Sequence, residues 1–256
     1  ADAHPGLVNK TLAPWAKAVS VAFEKAKRIV ESDNIHVLGN PLRANIGEYS
    51  KEESCILMDL KADKKILLVL GGSQGAQKIN SGLLEALPTL LNELDIQVIH
   101  QCGEKNYENF KQIVPKEILE HPSYILKGFV DNMAVAYACA DFAISRAGSL
   151  TLSELTASNI PSILVPYPYA AADHQRNNAK SMEAAGAALY LENDECNGQN
   201  IITFCKKLLE DHDKFLQMKF SCRYISKKDA TENIIKLIKQ VSKKIDSQQT
   251  MQSSEN

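Results

Sequence analysis

A regular alternation of strand and helix patterns, which begins at Lys65, most constrains how this sequence can fold. Residues 66–70 (ILLVL) form an unbroken apolar run, as expected for a strand covered on both faces. After a helical pattern over 76–94, we predict strands at 96–101, 124–126, 142–145, 162–165 and 187–191 and helices at 132–140, 150–158 and 174–185. This repetition predicts an α/β fold with a doubly wound, parallel, Rossmann-like sheet and a ligand crevice beyond the carboxyl ends of its strands.

The segments that flank this alternation are less regular. We predict a helix over 7–17, short strands over 18–23 and 35–39, and a polar connector over 45–64. Two or three helices close the chain. Segment 214–244 carries nine Lys or Arg residues against two acidic ones, which suits either a solvated helix face or contact with anionic lipid heads.

Composition narrows the class of protein without indicating a function. Hydrophobic residues make up 45% and charged residues 23% of the chain, and a net charge of −2 gives no electrostatic indication of nucleic-acid binding. The six cysteines form no C-x-x-C pair, which argues against a disulfide framework or a metal site and favours reduced thiols in a cytosolic protein. No apolar run approaches the roughly 18–20 residues that span a bilayer, and no export signal is visible at Ala1.

The strand over 66–70 runs directly into a glycine-rich loop, residues 71–75 (GGSQG). Glycines let the backbone approach a ligand, the following helix offers unpaired N–H groups with a partial positive charge, and Ser73 adds a hydroxyl donor. The loop therefore predicts a seat for a diphosphate, although a tight strand-to-helix turn without a ligand would have the same pattern. It matches neither the dinucleotide fingerprint nor a P-loop.

A second glycine-bearing loop follows the predicted strand over 142–145. Gly148 frees the backbone there, and Ser149 or Thr151 can cap the next helix. Because Glu154 stands three residues after Thr151, its carboxylate could close a capping box or accept the hydroxyls of a ribose. Two such loops at the strand ends of one sheet favour a nucleotide site over two turns without a ligand.

Polar side chains open the helix predicted over 174–185. His174 and Asn178 share a helix face, and Gln175 stands beside them. Amide groups carry paired donors and acceptors, which suits the recognition of sugar hydroxyls. Taken alone, this motif is more simply interpreted as a solvated first turn.

Several stretches together resemble the MurG family of GT-B glycosyltransferases (glycosyltransferase family 28), hexosyltransferases that move N-acetylglucosamine (GlcNAc) from UDP-GlcNAc to lipid I in peptidoglycan synthesis. The matching stretches are PGLVNK (5–10), GNPLR (39–43), GGSQGAQKIN (71–80), HQCG (100–103), GFVDNMAVAYACADFAISRAGSLTLSEL (128–155) and IPSILVPYPYAAADHQRNNA (160–179). They follow the order of the family over roughly residues 2–190, and the run over 128–155 is highly specific.

The resemblance implies a UDP-GlcNAc site. Its implied positions are Arg43, Ser73, Gln74, Val130, Ser149, Leu150, Thr151, Glu154, His174, Gln175 and Asn178. Arg43 and Ser73 would contact the diphosphate, and the backbone at Val130 would pair with uracil. The three residues from Ser149 would line the nucleotide and Glu154 would bind the ribose. Gln175 would read the sugar hydroxyls with support from its two polar neighbours on the same helix. The assignments of Arg43 and Val130 rest on the resemblance alone.

The same resemblance implies parts that this sequence lacks. The N-terminal domain of the family, with a glycine-rich loop, the acceptor site and the proposed catalytic base, has no counterpart here, so we assign no catalytic residue. Asp2 is the retained member of an acceptor-side segment. We expect residues 1–40 to be the end of an acceptor domain, 41–230 the donor domain, 231–245 a closing helix and 246–256 a flexible tail. Alone, the chain is expected to bind the donor without turning it over.

The resemblance also implies partners and a location. The substrates would be UDP-GlcNAc and lipid I, in an inverting transfer without metal or cofactor, since no D-x-D motif lies near the crevice and Asp131 is followed by Asn132. A lipid-linked acceptor implies peripheral docking on the cytoplasmic face of the bacterial inner membrane. Cell-wall synthesis proteins are candidate partners, with links to cell shape and division, and nucleic acid is not a partner. The alternatives are another GT-B transferase with a lipid acceptor, a UDP-sugar epimerase, or a donor-binding fragment completed by a separate acceptor subunit.

Overall fold

A computed structural model describes residues 2–43, 45–71 and 76–254 of the chain. Its elements in chain order are α1 (Leu7–Leu12), β1 (Val19–Val21), α2 (Glu24–Lys27), β2 (Ile35–Val37), α3 (Lys51–Leu57), β3 (Ile66–Leu70), α4 (Gln77–Asn92), β4 (Gln97–Gln101), α5 (Tyr107–Ile113), α6 (Lys116–Leu119), β5 (Tyr124–Lys127), α7 (Met133–Cys139), β6 (Phe142–Ser145), α8 (Ser149–Ala157), β7 (Ser162–Leu164), α9 (His174–Ala184), β8 (Ala188–Tyr190), α10 (Gly198–Glu210), α11 (His212–Ile225) and α12 (Ala230–Ser254). Short 3₁₀ turns lie at Ala13–Trp15, Glu104–Asn106 and Ala171–Asp173.

The larger of two compact units spans Arg43–Ser226 and contains a six-stranded sheet. Its strand order is β5-β4-β3-β6-β7-β8, and each neighbouring pair is parallel. The chain moves outward from β3 in one direction through β4 and β5, and then in the other direction from β6 to β8. This is a doubly wound sheet, which confirms the predicted fold class.

Strand β3 explains why the apolar run over 66–70 is continuous. All five of its residues are buried, and successive side chains point to opposite faces of the sheet. Leu67 and Val69 join the core on the α4 face, whereas Ile66 and Leu68 join the core beneath α7. Burial of each such side chain contributes about 1.5–3 kcal/mol, so both faces fix the position of the strand and of the loop that leaves it.

The prediction of a polar connector over 45–64 is wrong in its middle, where α3 forms. Ser50 caps this helix through a capping box: the Glu53 N–H donates to the Ser50 hydroxyl oxygen at 3.2 Å, and the Ser50 N–H donates to the Glu53 carboxylate at 3.1 Å. Two orphan donors of the first turn are thereby satisfied. The helix buries Cys55 in the core shared with α7, so tertiary packing stabilises a segment whose composition is polar.

Two further differences from the predicted elements have physical causes. The helix predicted over 7–17 ends as an α-helix at Leu12, because Pro14 lacks the N–H that an α-helical turn requires and the chain continues as a 3₁₀ turn. Between β4 and β5 the prediction contained no helix, whereas the structure contains α5 and α6. Two parallel neighbouring strands require such a crossover connection.

The smaller unit combines Ala1–Leu42 with Lys227–Asn256. Within it β1 pairs with β2 in parallel, and the Leu42 N–H donates to the Thr231 hydroxyl oxygen at 3.2 Å. Gly39 has φ +91°, and a Cβ there would lie 2.5 Å from Lys227 Cβ, so only glycine fits this contact. The last helix, α12, reaches Ser254. It therefore extends past residue 245, where the sequence predicted a flexible tail.

Candidate functional site

The strand order places the candidate site between β3 and β6. The chain turns in opposite directions after these two strands, which opens a crevice at their carboxyl ends. Gly71 directly follows β3, and its N–H donates to the Gln101 carbonyl at 3.1 Å. Ser73, the predicted diphosphate contact of this loop, and Gln74, another predicted UDP-GlcNAc-binding position, lie outside the described residues. Their assignment stays a prediction.

Helix α4 begins immediately beyond this loop, at Gln77. Its N-cap residue is Ala76, which has no side chain able to accept from the first backbone N–H groups. A helix of 16 residues carries a partial positive charge at that end, and its first amides lack intrahelical acceptors. The amino end of α4 is therefore suited to an anion that approaches from the crevice.

Glu154 is the most constrained carboxylate at the crevice. It belongs to α8, which starts at the carboxyl end of β6, and it is 8% exposed. Its Oε2 accepts from the Tyr137 hydroxyl at 2.9 Å, and its Oε1 lies 3.0 Å from Nε of Arg43. Glu154 is thus held from one side by a neutral donor and from the other by a cation.

The capping-box interpretation of Glu154 is wrong. The N-cap of α8 is Gly148, so Thr151 lies inside the helix and Glu154 is a further turn along it. The carboxylate is directed to the side chains of Tyr137 and Arg43 instead of the helix amino end. The alternative, a carboxylate available to a ligand, remains.

Tyr137 is the residue at this site that sequence reasoning missed. It lies on α7 and is 3% exposed. Burial, together with the negative charge and hydrogen bond of Glu154, raises the pKa of the Tyr137 phenol well above its usual value. The phenol is therefore protonated at neutral pH, where it donates to Glu154. The only sequence signal was its place in the highly specific run over 128–155.

The loop from β6 into α8 positions the residues predicted to line the nucleotide. Ser149 and Thr151 are half-buried in the first turn of α8, and Leu150 is 56% exposed. Gly148 has φ −69°, which any residue can adopt, and among the described residues a Cβ there would meet only the Thr151 hydroxyl oxygen at 3.9 Å. Its predicted conformational freedom is therefore not used, and the missing side chain keeps the described surroundings of the helix amino end open.

Val130, the predicted backbone contact to uracil, lies between β5 and α7 and has a partner within the chain at the end of β4. The Val130 N–H donates to Oε1 of Gln101 at 3.0 Å, and both residues are buried. This bond fixes the segment that precedes α7. It also means that the Val130 N–H already has an acceptor within the chain.

His100 precedes Gln101, and its side chain points to the opposite face of the sheet. Its Nε2 lies 3.1 Å from Oδ1 of Asn80 on α4, and its Nδ1 lies 2.9 Å from the Tyr124 hydroxyl on β5. The Asn80 amide nitrogen donates to the Cys102 carbonyl at 2.9 Å, so its oxygen faces His100 and accepts from Nε2–H. Burial lowers the pKa of His100 from 6.5 to about 3. The neutral imidazole thus joins three elements behind the crevice.

The polar residues of α9 are placed by a strained turn. Ala172 and Asp173 have φ of +50° and +53°, a region that non-glycine residues rarely adopt. His174 Nδ1 lies 2.6 Å from the Ala171 carbonyl, which can only accept, so Nδ1 carries the proton. The side-chain oxygen of Gln175 accepts from the Tyr167 N–H at 3.0 Å.

Asn178 connects α9 to the loop after β6. It is fully buried, and its amide nitrogen donates to the Ala147 carbonyl at 3.1 Å. Arg146, at the start of the same loop, donates through one guanidinium nitrogen to the carbonyls of Val165 and Pro166 and to the Asn193 side chain, at 2.8–3.1 Å. The loop after β6 is therefore fixed both to α9 and to the segment that follows β7.

Asp2, the residue predicted for the acceptor side, belongs to the smaller unit, and its role stays a prediction. All six cysteines are buried free thiols. Within the described part of the chain, no group of three or more His, Cys, Asp or Glu side chains is placed to hold a metal ion. A search of the described helices for one long and apolar enough to cross a bilayer finds none.

The sequence pattern of the glycosyltransferase family 28 C-terminal domain matches residues 66–219, which is more than half of the chain. The chain belongs to glycosyltransferase family 28. The match contains β3 to β8, and with them the loops after β3, β6 and β7.

Curated relatives of this family 28 chain share one printed name, UDP-N-acetylglucosamine–N-acetylmuramyl-(pentapeptide) pyrophosphoryl-undecaprenol N-acetylglucosamine transferase. The relative from Halothermothrix orenii is 36% identical over 248 residues, which are 94% of this chain and 67% of the relative. The relative from Desulforamulus reducens is 36% identical over 244 residues, with 94% and 66% covered. The chain thus spans about two thirds of the length of these relatives.

Solved structures agree with this family 28 assignment. MurG from Acinetobacter baumannii superposes with a TM-score of 0.70 at 26% identity, over 93% of this chain and 65% of that one. A putative UDP-N-acetylglucosamine 2-epimerase from Listeria monocytogenes superposes with a TM-score of 0.64 at 13% identity, over 90% of this chain and 60% of that one, which shows a shared fold alone. The likeness to MurG, with the parallel sheet, confirms the predicted GT-B type of α/β fold.

Proposed function

We propose that the unit Arg43–Ser226 binds UDP-GlcNAc as the donor half of a hexosyltransferase that transfers GlcNAc to lipid I, forming lipid II for the bacterial cell wall. The observation that carries this proposal is the Glu154 carboxylate, buried at the strand-end crevice and oriented by Tyr137. An acidic residue at such a place commonly accepts the hydroxyls of a nucleotide ribose. The shared name of the curated relatives supports the choice of donor and acceptor.

The proposed reaction is an inverting displacement at the anomeric carbon of GlcNAc. The acceptor hydroxyl forms the new bond as the bond to UDP breaks, and the departing diphosphate gains negative charge. Arg43 and the amino end of α4 are the positive groups proposed to stabilise that charge, with Ser73 and Gln74 completing the diphosphate seat. Preorganised donors of this kind lower the barrier because they need no reorientation during the reaction.

The remaining site residues are proposed to read the nucleoside and the sugar. Ser149, Leu150 and Thr151 would line the nucleoside at the amino end of α8, and the backbone at Val130 would recognise uracil. Gln175 would bind the GlcNAc hydroxyls. His174 and Asn178 would support it: each makes a hydrogen bond to a backbone carbonyl, of Ala171 and Ala147 respectively, and these bonds hold the loop in place.

The acceptor side is proposed to involve Asp2, and residues 1–40 are proposed to end an acceptor domain that precedes the donor domain. Since the chain spans about two thirds of its curated relatives, the groups that activate the acceptor would come from the segment that corresponds to the remaining third. We further propose that the enzyme acts at the cytoplasmic face of the inner membrane as a peripheral protein. Other cell-wall synthesis proteins, active in cell shape and division, would be its neighbours.

A transfer assay tests the proposal. This chain, fused to the remaining third of the Halothermothrix orenii relative, is supplied with lipid I and radiolabelled UDP-GlcNAc. Labelled lipid II is expected, and Glu154→Gln should abolish most of it, whereas Glu120→Gln, at a side chain 67% exposed on the surface, should not. Binding of both substrates without lipid II would contradict the proposal. An epimerised sugar formed without any acceptor would favour the epimerase alternative.

A further inference from the structure

The Arg43–Glu154 ion pair has unequal partners. The Glu154 side chain is 10% exposed, whereas that of Arg43 is 53% exposed. The guanidinium therefore lies on the solvent side of the carboxylate and covers it. Oε2 accepts from the buried Tyr137, so Oε1, the oxygen paired with the half-exposed Arg43, is the one nearer to solvent.

In this arrangement the two groups are engaged with each other. Arg43 occupies space next to Oε1 on the solvent side, so a ribose that approaches from the crevice competes with the guanidinium for that oxygen. A buried carboxylate without a partner is costly, which explains why Arg43 pairs with it when no ligand is bound. The half-exposed Arg43 can move at little cost, whereas the buried Tyr137 and Glu154 cannot.

We propose that Arg43 exchanges partners when the donor binds: it leaves Glu154 for the diphosphate, and the ribose hydroxyls take its place on a carboxylate that Tyr137 keeps oriented throughout. This inference rests on the proposed function of the unit as a UDP-sugar site. In addition, Arg43 weakens nucleoside binding by competing for Glu154, and it strengthens binding of the diphosphate. Tyr137 is a positioning residue.

The exchange predicts that loss of Arg43 changes the affinities for uridine and for UDP in opposite directions. Uridine has a ribose and no phosphate, so it must displace Arg43 without offering the guanidinium a new partner. UDP offers two phosphates in return. Loss of Arg43 should therefore strengthen uridine binding and weaken UDP binding, a result that neither a simple diphosphate contact nor a simple structural ion pair produces.

Calorimetric titration of the 256-residue chain with uridine and with UDP tests this difference. In Arg43→Ala, uridine affinity should rise on the order of threefold, as expected for loss of a partly exposed ion pair, and UDP affinity should fall on the order of tenfold, as expected for loss of a charge-assisted contact. Arg223→Ala is the matched control, because it removes an exposed arginine from α11 and should change neither affinity.

Two results would contradict the exchange. If the unsubstituted chain binds UDP but uridine binding in Arg43→Ala is unchanged or weaker, the exchange is overturned and the proposed function stays intact. Binding of neither ligand by the unsubstituted chain overturns both.

The role of Tyr137 is tested with Tyr137→Phe, which removes the hydroxyl and keeps the ring. Uridine and UDP affinities should both fall, on the order of fivefold, since the ribose contact is common to both ligands. Thermal unfolding of the same variant separates this from a purely structural role. A lower melting temperature with both affinities unchanged would show that Tyr137 only supports the fold and would overturn its positioning role.

Discussion

At the scale of single residues, Glu154 shows that the spacing of a motif does not by itself determine the role of its residues. The spacing of Thr151 and Glu154 fits a capping box as well as a ribose contact, and sequence alone left both open. The structure decides against the capping box because α8 begins at Ser149, three residues too early for Thr151 to be its cap. The position of one helix end, which propensity hardly specifies, thus changes the meaning of the motif.

Glu154→Gln is expected to weaken UDP binding at least about tenfold with little loss of stability. The amide oxygen can still accept from Tyr137, whereas the charge that attracts ribose hydroxyls is lost. Calorimetry gives the affinity and thermal unfolding gives the stability. Glu154→Ala is the comparison, since it leaves the buried Tyr137 hydroxyl without an acceptor and should cost about 1–3 kcal/mol of stability. A destabilised Glu154→Gln variant with normal UDP affinity would refute the ribose role.

Gly148 gives a second prediction at this scale. Its φ of −69° and the open space around a Cβ mean that Gly148→Ala should fold with a loss below about 1 kcal/mol, the usual range for an N-cap glycine. UDP affinity should nevertheless fall, because the methyl group would occupy the amino end of α8. Gly82→Ala is the opposite control: its Cβ would lie 3.0 Å from the Cys196 carbonyl oxygen, so stability should fall while UDP affinity holds. Unchanged UDP binding in Gly148→Ala would exclude close approach of the ligand there.

At the scale of elements, strands buried on both faces were the most predictable, and short helices the least. An apolar run such as residues 66–70 has few other ways to bury its side chains. Helices α5 and α6 are short, so their stability comes from packing on β5 and its neighbours and not from local propensity. Helix α3 did have a local signal, the pair Ser50 and Glu53, but its polar composition concealed it.

The link between β4, α4 and β5 through His100 predicts a dependence of stability on pH. The folded protein holds His100 neutral down to about pH 3, whereas an unfolded histidine binds a proton below about pH 6.5. The unfolded state therefore takes up more protons between these values. As the pH falls from 6.5 towards 3, the free energy of unfolding should decrease, by up to about 1.4 kcal/mol for each pH unit.

Urea unfolding between pH 7 and pH 4.5 measures this effect. His100→Gln should be less stable at pH 7, because the network with Asn80 and Tyr124 is altered, and its stability should decline less steeply with acid. The exposed His212→Gln controls for removal of an imidazole from the chain. Parallel pH curves for His100→Gln and the unsubstituted protein would contradict a buried neutral His100.

At the scale of the whole molecule, the sequence pattern predicted the sheet and its crevice, but the site required more. Glycine loops and polar side chains at strand ends suggested Ser73, Glu154 and Gln175. Arg43 lies far from Glu154 in sequence, and its link to that residue came only from resemblance, because no local pattern reports a contact between residues 111 positions apart. Tyr137 was missed although it lies in the highly specific run over 128–155, because a buried tyrosine within an apolar helix resembles a core residue until its hydroxyl partner is known.

We propose that the Arg43–Ser226 unit of this family 28 chain is a UDP-sugar site, and titration of the chain with UDP-GlcNAc tests this most directly. We expect saturable binding of one UDP-GlcNAc per chain, competition by UDP, at least about tenfold weaker binding in Glu154→Gln, and no comparable binding of CMP or ADP. The absence of saturable heat with UDP-GlcNAc and with UDP would contradict a UDP-sugar site. Equal binding of UDP, CMP and ADP, unaffected by the substitution at Glu154, would contradict it as well.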